Sequence, residues 1–195
     1  MSSKIEFFYD YVSVYSYLAN SQLDQFTSRT GAEIVYRPMF LGGVMEATGN
    51  RPPATIKAKG SYLMSDIDRW CARYSLRFKM NPVFPQNTIS ALRVALVALH
   101  RGEFAAIHQA LFDAMWIDEE NISDKEALVA VIDRAGVQAK EYMKEISRQE
   151  IKDELKSNTE EAIQRGAFGA PTFYVGDQMF FGNDRFEFIE EAIAG

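Results

Sequence analysis

Hydrophobic and polar residues divide the chain into three blocks of different character. The first block opens with an apolar and aromatic run at positions 5–9, which is typical of a buried strand. Apolar residues then recur at helical spacing from Val14 onward, until Gly31 offers a C-terminal stop. A second apolar run at 34–36 ends near Pro38. We therefore expect a strand, a helix and a second strand joined by a parallel crossover.

The central block has helical spacing alone. Apolar residues recur every three or four positions in successive segments between about residues 63 and 165. No strand signal of comparable strength occurs between about 39 and 166. One of the predicted helices has a plausible capping box in Ser123 and Glu126 and would end at Gly136. The pattern predicts a block made only of helices.

The C-terminal block returns to strands. Residues 172–175 and 178–181 are separated by Gly176 and Asp177, a pair typical of a hairpin turn. Asn183 and Asp184 then stand where they could cap a last helix. The order predicts an α/β protein, a thioredoxin-like fold interrupted by a large all-helical insertion domain. The thioredoxin-like domain would cover 1–40 and 166–195, and the insertion 41–165.

Composition and charge narrow the function classes. A chain of 195 residues that is 47% hydrophobic and 25% charged suits one globular domain, or a small domain with an insertion. The net charge of -6 argues against a nucleic-acid partner and against attraction to an anionic membrane surface. No apolar run approaches the length of a membrane span, and charges interrupt any signal-peptide core at the N-terminus. A cytoplasmic location is the expectation.

Cysteine and histidine are too few for several kinds of site. Cys71 is the only cysteine, so neither an intramolecular disulfide nor a two-cysteine redox cycle is possible. His100 and His108 are the only histidines, and we interpret both as ordinary helix residues. With one cysteine and two histidines, we expect no metal site.

The junction between the first strand and the first helix carries the most informative chemistry. Ser13 stands at the predicted N-cap, where unpaired N–H groups and the positive end of the helix dipole favour an anion. Ser13 and Ser16 have the spacing of a Cys-x-x-Cys redox pair, with hydroxyls in place of both thiols. Such a site could stabilise a thiolate supplied by a bound cofactor, to which Ser13 would donate a hydrogen bond. The alternative is that Ser13 only caps the helix.

A second informative element precedes the C-terminal hairpin. Pro171 follows Ala170 directly before a predicted strand, a position compatible with a cis peptide bond. A cis bond there would expose the backbone of Ala170 for strand-like pairing with a peptide. The alternative is a trans proline that opens the strand.

Both elements belong to a series of short motifs spread over nearly the whole chain. In their order and spacing, the chain resembles the 2-hydroxychromene-2-carboxylate isomerases and the kappa-class glutathione transferases, within the wider DsbA-like group. The motifs are Asp-Tyr-Val-Ser-Val-Tyr-Ser-Tyr-Leu-Ala at 10–19, Gly-Asn-Arg-Pro-Pro at 49–53, Lys-Gly-x-Tyr-Leu at 59–63, Asp-Arg-Trp at 68–70, Phe-Gly-Ala-Pro-Thr at 168–172 and Phe-Gly-Asn-Asp-Arg at 181–185.

The resemblance implies glutathione as the cofactor and a role for two central residues. Ser13 would position and activate the glutathione sulfur. Ala170, held before Pro171, would pair through its backbone with the cysteinyl part of the tripeptide. Val14 stands where the family usually has proline, so the turn should be less rigid and the placement of the substrate stays open.

The resemblance also implies residues for the two ends of glutathione. Asn183 and Asp184 would hold the γ-glutamyl end, unless they only cap a helix. Asn50 and Lys59 match positions that contact glutathione. Lys59 would meet a carboxylate of the tripeptide or of an acidic substrate, unless it is simply a solvated charge.

The activity that the resemblance implies is cis–trans isomerisation of 2-hydroxychromene-2-carboxylate, or a close analogue, to trans-o-hydroxybenzylidenepyruvate in aromatic-compound degradation. The glutathione thiolate would add to a conjugated double bond, allow rotation and leave again. The expected partners are a small aromatic acid and a second copy in a homodimer. A kappa-like transferase acting on electrophiles and a non-catalytic ligand-binding module are the alternatives. Among Phe8, Tyr11, Tyr15 and Tyr17, most should be core and one or two could line the substrate pocket.

Overall fold

The computed structural model describes residues 3–194. Within that range the predicted order of strands, helical block and strands is confirmed. The elements are β1 (Lys4–Tyr9), α1 (Val14–Thr30), β2 (Glu33–Pro38), α2 (Leu41–Thr48), a short 3₁₀ helix (Pro53–Thr55), α3 (Lys57–Tyr74), α4 (Ile89–Arg101), α5 (Phe104–Trp116), α6 (Lys125–Arg134), α7 (Ala139–Glu145), α8 (Gln149–Gln164), β3 (Thr172–Val175), β4 (Gln178–Phe181) and α9 (Phe186–Ala194).

The four strands form one mixed sheet in the order β2-β1-β3-β4. Strands β1 and β2 run parallel, with Phe7 opposite Tyr36, as the crossover pattern predicts. Strand β3 is antiparallel to β1, with Phe173 opposite Phe7, and β4 pairs with β3 as the predicted hairpin. Gly176 takes the left-handed conformation in the hairpin turn, at a φ of 56°. The α/β, thioredoxin-like architecture with a helical insertion is thereby confirmed.

Aromatic residues join the sheet to the helical block. The ring of Phe7 stacks on those of Tyr9 and Phe173, with centroids 5.0 and 4.8 Å apart. Beyond the end of β1, the Trp116 indole N–H of α5 donates to the Tyr11 carbonyl at 2.9 Å. All five of these residues are buried, so the sheet and the helices share a continuous core.

The boundaries proposed for the two domains stay a prediction. Helix α8 lies within the predicted insertion, yet it also packs along β2. The Asn158 side-chain amide donates to the Pro38 carbonyl at 3.2 Å, and Arg37 pairs with Glu161. The helical block therefore supports the sheet edge.

Two local features differ from the sequence-based prediction. The short helix α2 was not expected, because Gly42 and Gly43 interrupt its apolar pattern; buried Leu41 and Val44 stabilise it through packing. At the start of α6, Asp124 is the N-cap, and its carboxylate accepts from the Ala127 N–H at 2.9 Å. Asp124 thus replaces the predicted capping box, because its side chain is one position closer to the helix.

Candidate functional site

The turn after β1 places Ser13 at the start of α1. The Ser13 N–H donates to the Asp10 carbonyl at 3.0 Å, which closes the turn. Ser13 is the N-cap of the 17-residue helix, with extended dihedrals, and its Oγ accepts from the Ser16 N–H at 3.1 Å. The same hydroxyl donates to the Ala170 carbonyl at 2.9 Å. Ser13 is therefore an N-cap, and its hydroxyl also contacts Ala170 of the second predicted element.

The first turn of α1 has the properties of an anion site. Among the described residues, no protein acceptor pairs with the N–H groups of Val14 and Tyr15. The turn contains no acidic residue that would neutralise the helix dipole. Two unpaired N–H groups and the positive dipole end together favour a negatively charged atom beside Ser13.

A buried carboxylate, Asp10, supports this turn from below. Its oxygens accept from the Val12 N–H at 3.1 Å, the Leu41 N–H at 2.9 Å and the Thr88 hydroxyl at 2.6 Å. Burial raises the pKa of Asp10 to about 6, although these hydrogen bonds act in the opposite direction. Asp10 thus ties the starts of α2 and α4 to the Ser13 turn. The sequence pattern did not indicate this role; the signal for it is an aspartate directly after a buried strand.

The loop before β3 forms the second side of the site. The Ala170–Pro171 peptide bond is cis, the first of the two alternatives that the sequence left open, and Ala170 is 7% exposed. The Pro171 carbonyl accepts from the Gly182 N–H at 3.1 Å. Gly182 has a φ of 111°, and a Cβ there would lie 2.8 Å from Asp184 Oδ1. The glycine thereby lets the Asp184 carboxylate lie against the backbone of Gly182, which donates to Pro171.

Asn183 and Asp184 do not cap the last helix. Helix α9 begins at Phe186, and its first-turn bond runs from the Ile189 N–H to the Arg185 carbonyl. The Asn183 side-chain nitrogen is buried and has no hydrogen-bond partner among the described residues. Asp184 is exposed and lies beside Arg185, with 3.2 Å between Oδ2 and Nη1. The capping alternative is therefore wrong for both residues.

Helix α3 covers the site from the insertion. The Tyr15 hydroxyl donates to Asp66 Oδ2 at 2.9 Å, which ties α3 to the first turn of α1. Burial, the bond to Asp66 and, more weakly, the charge of Asp184 raise the pKa of Tyr15. Lys59 lies two helical turns before Asp66 and hence on the same face of α3. It is exposed, and no carboxylate of the described residues lies within ion-pair distance of it.

Asn50 lies at the loop that precedes Ala170. Its side-chain amide donates to the Phe168 carbonyl at 2.7 Å. Beside this contact, the half-exposed rings of Phe168 and Phe181 lie with centroids 4.6 Å apart. The structure therefore brings Ser13, Ala170, Pro171 and, through them, Asn50 and Asp184 to one region of the surface.

The four aromatics near the first strand divide as predicted into core and margin. Phe8, Tyr11 and Tyr17 are buried, whereas Tyr15 stays partly exposed beside Ser13.

Cys71 is buried, and burial raises the pKa of its thiol, which makes it a poor nucleophile. Over residues 3–194, no group of three or more His, Cys, Asp or Glu side chains is placed to hold a metal ion. None of the helices described is both long and apolar enough to cross a bilayer.

His108 is more than an ordinary helix residue. Its Nδ1 lies 2.9 Å from the Tyr11 hydroxyl and its Nε2 lies 2.9 Å from Asn20 Oδ1. Burial lowers the pKa of His108 to about 3, so the imidazole is neutral at physiological pH. His100 is exposed and lies 2.9 Å from Glu154. The His108 network orders the core beneath α1, and nothing in the local sequence pattern distinguished it.

The chain is similar in sequence and in fold to known proteins over nearly its whole length. The chain is 30% identical over 192 residues to the 2-hydroxychromene-2-carboxylate isomerase of Sphingobium xenophagum, covering 97% of both chains. It is 31% identical to glutathione S-transferase kappa 1 of Caenorhabditis elegans, covering 97% of this chain and 90% of the relative. A solved 2-hydroxychromene-2-carboxylate isomerase superposes with a TM-score of 0.86 at 28% identity, covering 98% of this chain and 94% of that one.

The family model of the DSBA-like thioredoxin domain matches residues 4–194, nearly the whole chain. The superposition with the solved isomerase extends over 98% of the chain, so it includes the helical insertion as well as the sheet. By the extent of that match, the chain belongs to the DSBA-like thioredoxin domain family.

Proposed function

We propose that this protein is a glutathione-dependent isomerase in which Ser13 stabilises the cofactor thiolate. The observation that carries the proposal is the position of the Ser13 hydroxyl, at the positive end of α1 and 2.9 Å from the Ala170 carbonyl. Relatives named as isomerases and as glutathione transferases, each about 30% identical over nearly the full length, support this class of activity.

The residues present fit glutathione at both its charged and its peptide-like parts. The buried Asn183 side-chain nitrogen has no partner among residues 3–194 and could donate to a carboxylate. The Asp184 carboxylate beside it suits the ammonium group of the γ-glutamyl end. Ala170 offers its backbone for pairing with the cysteinyl part, and Asn50 and Lys59 are available for the remaining polar groups.

Ser13 and the helix start act on the thiol. The unpaired N–H groups of Val14 and Tyr15 and the dipole of α1 lower the free energy of a negative charge beside Ser13. The Ser13 hydroxyl adds a hydrogen-bond donor to that charge. Together they favour the thiolate over the thiol and so lower the thiol pKa. No protein cysteine takes part, because the Cys71 thiol is buried and burial raises its pKa.

Glutathione, when bound, supplies a nucleophile that adds reversibly to a conjugated double bond and so permits rotation about it. The proposed substrate is 2-hydroxychromene-2-carboxylate or a close analogue. The partly exposed Tyr15 and the Phe168–Phe181 pair offer aromatic surface for such a ring. Lys59 offers a cation for the substrate carboxylate. The homodimer and the cytoplasmic location stay predictions.

The test is the ultraviolet turnover of 2-hydroxychromene-2-carboxylate with and without glutathione. We expect turnover only with glutathione and a large loss in Ser13→Ala. Equal rates in the presence and absence of glutathione would rule the mechanism out.

Kappa-like transferase activity is the second candidate, favoured by the 31% identity to glutathione S-transferase kappa 1. In that case the sulfur would stay on the electrophile. Activity with chlorodinitrobenzene but none with the chromene would identify it. If calorimetry detected no glutathione binding and Ser13→Ala behaved as wild type, the chain would be a ligand-binding module instead.

A further inference from the structure

A second cleft opens in the helical block. It has a volume of about 460 Å³, lies between α4, α6, α7 and α8, and shares no residue with the Ser13 site. It is lined by Ser90, Arg93, Ser123, Lys125, Leu128, Met143, Ile146, Ser147 and Lys152. Three of these residues carry a positive charge and none carries a negative one. In a chain with a net charge of -6, such a lining is unusual.

The three cations have no carboxylate partner among residues 3–194. Arg93, Lys125 and Lys152 form no ion pair within that range, and the Nε atom of Arg93 is buried without any hydrogen-bond partner. Asp124, the sequence neighbour of Lys125, uses its carboxylate to cap α6 through the Ala127 N–H. Within the same range, six of the twelve arginines pair with acidic side chains, namely Arg29, Arg37, Arg101, Arg134, Arg165 and Arg185, whereas Arg93 is among the six that do not. The cleft therefore holds three cations that no carboxylate of residues 3–194 contacts.

The dipole of α4 adds to this charge. Ser90 is the second residue of α4, Lys125 is the first of α6, and Lys152 is the fourth of α8. The N-terminal ends of three helices therefore meet at one cleft. The first turn of α4 contains no acidic residue, so its dipole adds positive charge, whereas Glu126 and Glu150 offset the dipoles of α6 and α8. A buried guanidinium nitrogen without a partner is costly, so a ligand that accepts its hydrogen bond would be stabilised.

We propose that this cleft binds a small organic anion, a phosphate or carboxylate joined to an apolar group. Arg93, Lys125 and Lys152 would receive the charge, with Arg93 offering its guanidinium donors. Leu128, Met143 and Ile146 provide the apolar wall for the rest of the molecule. The volume lies within the range of small-molecule sites and exceeds the need of a bare ion. The inference does not depend on the activity proposed for Ser13.

Isothermal titration calorimetry at low salt tests this proposal with phenyl phosphate, benzoate and inorganic phosphate. We expect saturable binding of phenyl phosphate or benzoate, at least about 3-fold tighter than that of inorganic phosphate, because burial of the phenyl ring against the apolar wall adds favourable free energy. Arg93→Gln and Lys125→Gln should each weaken that affinity about 10-fold. Lys140 is an exposed residue of α7 outside the cleft. Lys140→Gln makes the same charge change and should leave the affinity for the probe within 2-fold of wild type.

Several results would overturn the inference. One is the absence of saturable binding of either organic probe to the wild type, and another is equal affinity for inorganic phosphate and phenyl phosphate. Equal affinity in wild type and Lys125→Gln would also contradict it; because Lys125 is exposed, that variant should fold even if Arg93→Gln does not. Finally, excess glutathione should not displace the probe. Displacement, together with unchanged binding in both cleft variants, would place the anion at α1 instead.

Discussion

The hydroxyl of Ser13 donates to the carbonyl of Ala170 at 2.9 Å, across 157 positions of sequence. A serine hydroxyl carries a single hydrogen, so it can donate either to this carbonyl or to an anion at the helix start, but not to both. When the hydroxyl turns to an anion, the Ala170 carbonyl becomes free to accept a hydrogen bond from a peptide N–H. The two halves of the site are therefore coupled through one proton.

Replacing Ser13 by alanine should raise the pKa of the bound glutathione thiol and reduce kcat/KM about 100-fold, as for the loss of one donor to a developing anion. Loss of the cap should also reduce the free energy of unfolding by about 1 kcal/mol. Thiolate absorbance near 240 nm against pH measures the first effect. Ser13→Thr keeps the hydroxyl, so it should retain most of the lowering of the thiol pKa and most of the free energy of unfolding. An unchanged thiol pKa in Ser13→Ala would contradict the role of Ser13.

Replacing Ser16 by alanine provides a matched comparison at the other position of the Cys-x-x-Cys spacing. The Ser16 hydroxyl is buried and has no partner among the described residues. Removing an unsatisfied buried hydroxyl should raise the free energy of unfolding by about 1 kcal/mol, measured by urea unfolding. Glutathione-dependent turnover should persist. A loss of stability would instead mean that the hydroxyl has a partner in solution.

Replacing Asp184 by asparagine should weaken glutathione binding about 10-fold, since a charge-assisted bond to an ammonium group becomes a neutral one. The effect should fall on the KM for glutathione, while kcat at saturation stays close to that of wild type. Glu187→Gln removes an exposed carboxylate from the first turn of α9 and serves as the control. A fall in kcat with unchanged KM would mean that Asp184 acts in a step after glutathione binding, which would contradict its proposed role.

Asp10 should make stability depend on pH. Its folded-state pKa of about 6 lies above the ordinary value of 3.8, so the folded protein binds the extra proton between those values. Stability from this group is complete below about pH 4 and is lost as the pH rises through 6. The loss is on the order of 3 kcal/mol at 1.36 kcal/mol per unit. The difference in unfolding free energy between wild type and Asp10→Asn, followed from pH 4 to 7, measures it; a constant difference would exclude the raised pKa.

His108 should remain neutral well below physiological pH. Burial lowers its pKa to about 3, and the ring is held between Tyr11 and Asn20. In NMR spectra, the ring signals of His108 are those that disappear in His108→Gln. In the wild type they should keep the chemical shifts of a neutral imidazole from pH 8 down to pH 5. Movement of those signals over this range would show that water reaches the ring.

Much of the fold could be predicted from local pattern. Strands β1 and β3 are buried on both faces, so they read as continuous apolar runs, and the Gly176-Asp177 turn specifies the hairpin. Helix α2 escaped prediction because two glycines conceal its short apolar face and because packing of Leu41 and Val44 stabilises it. The N-cap of α6 was misplaced by one residue, since serine and aspartate at neighbouring positions compete for one role.

The sequence by itself determined the order of the elements, the serine at the start of α1, and the absence of a second cysteine that excludes dithiol chemistry. Through their motifs it also marked Ala170, Pro171 and Asp184 as candidate site residues. Only the tertiary structure decided what those residues contact: the Ser13–Ala170 bond, the Asp10 carboxylate under the turn, the orphaned Asn183 amide and the cationic cleft around Arg93. The physical reason is that periodicity reports which face of an element is buried, whereas hydrogen bonds and unpaired charges depend on which distant segments meet there.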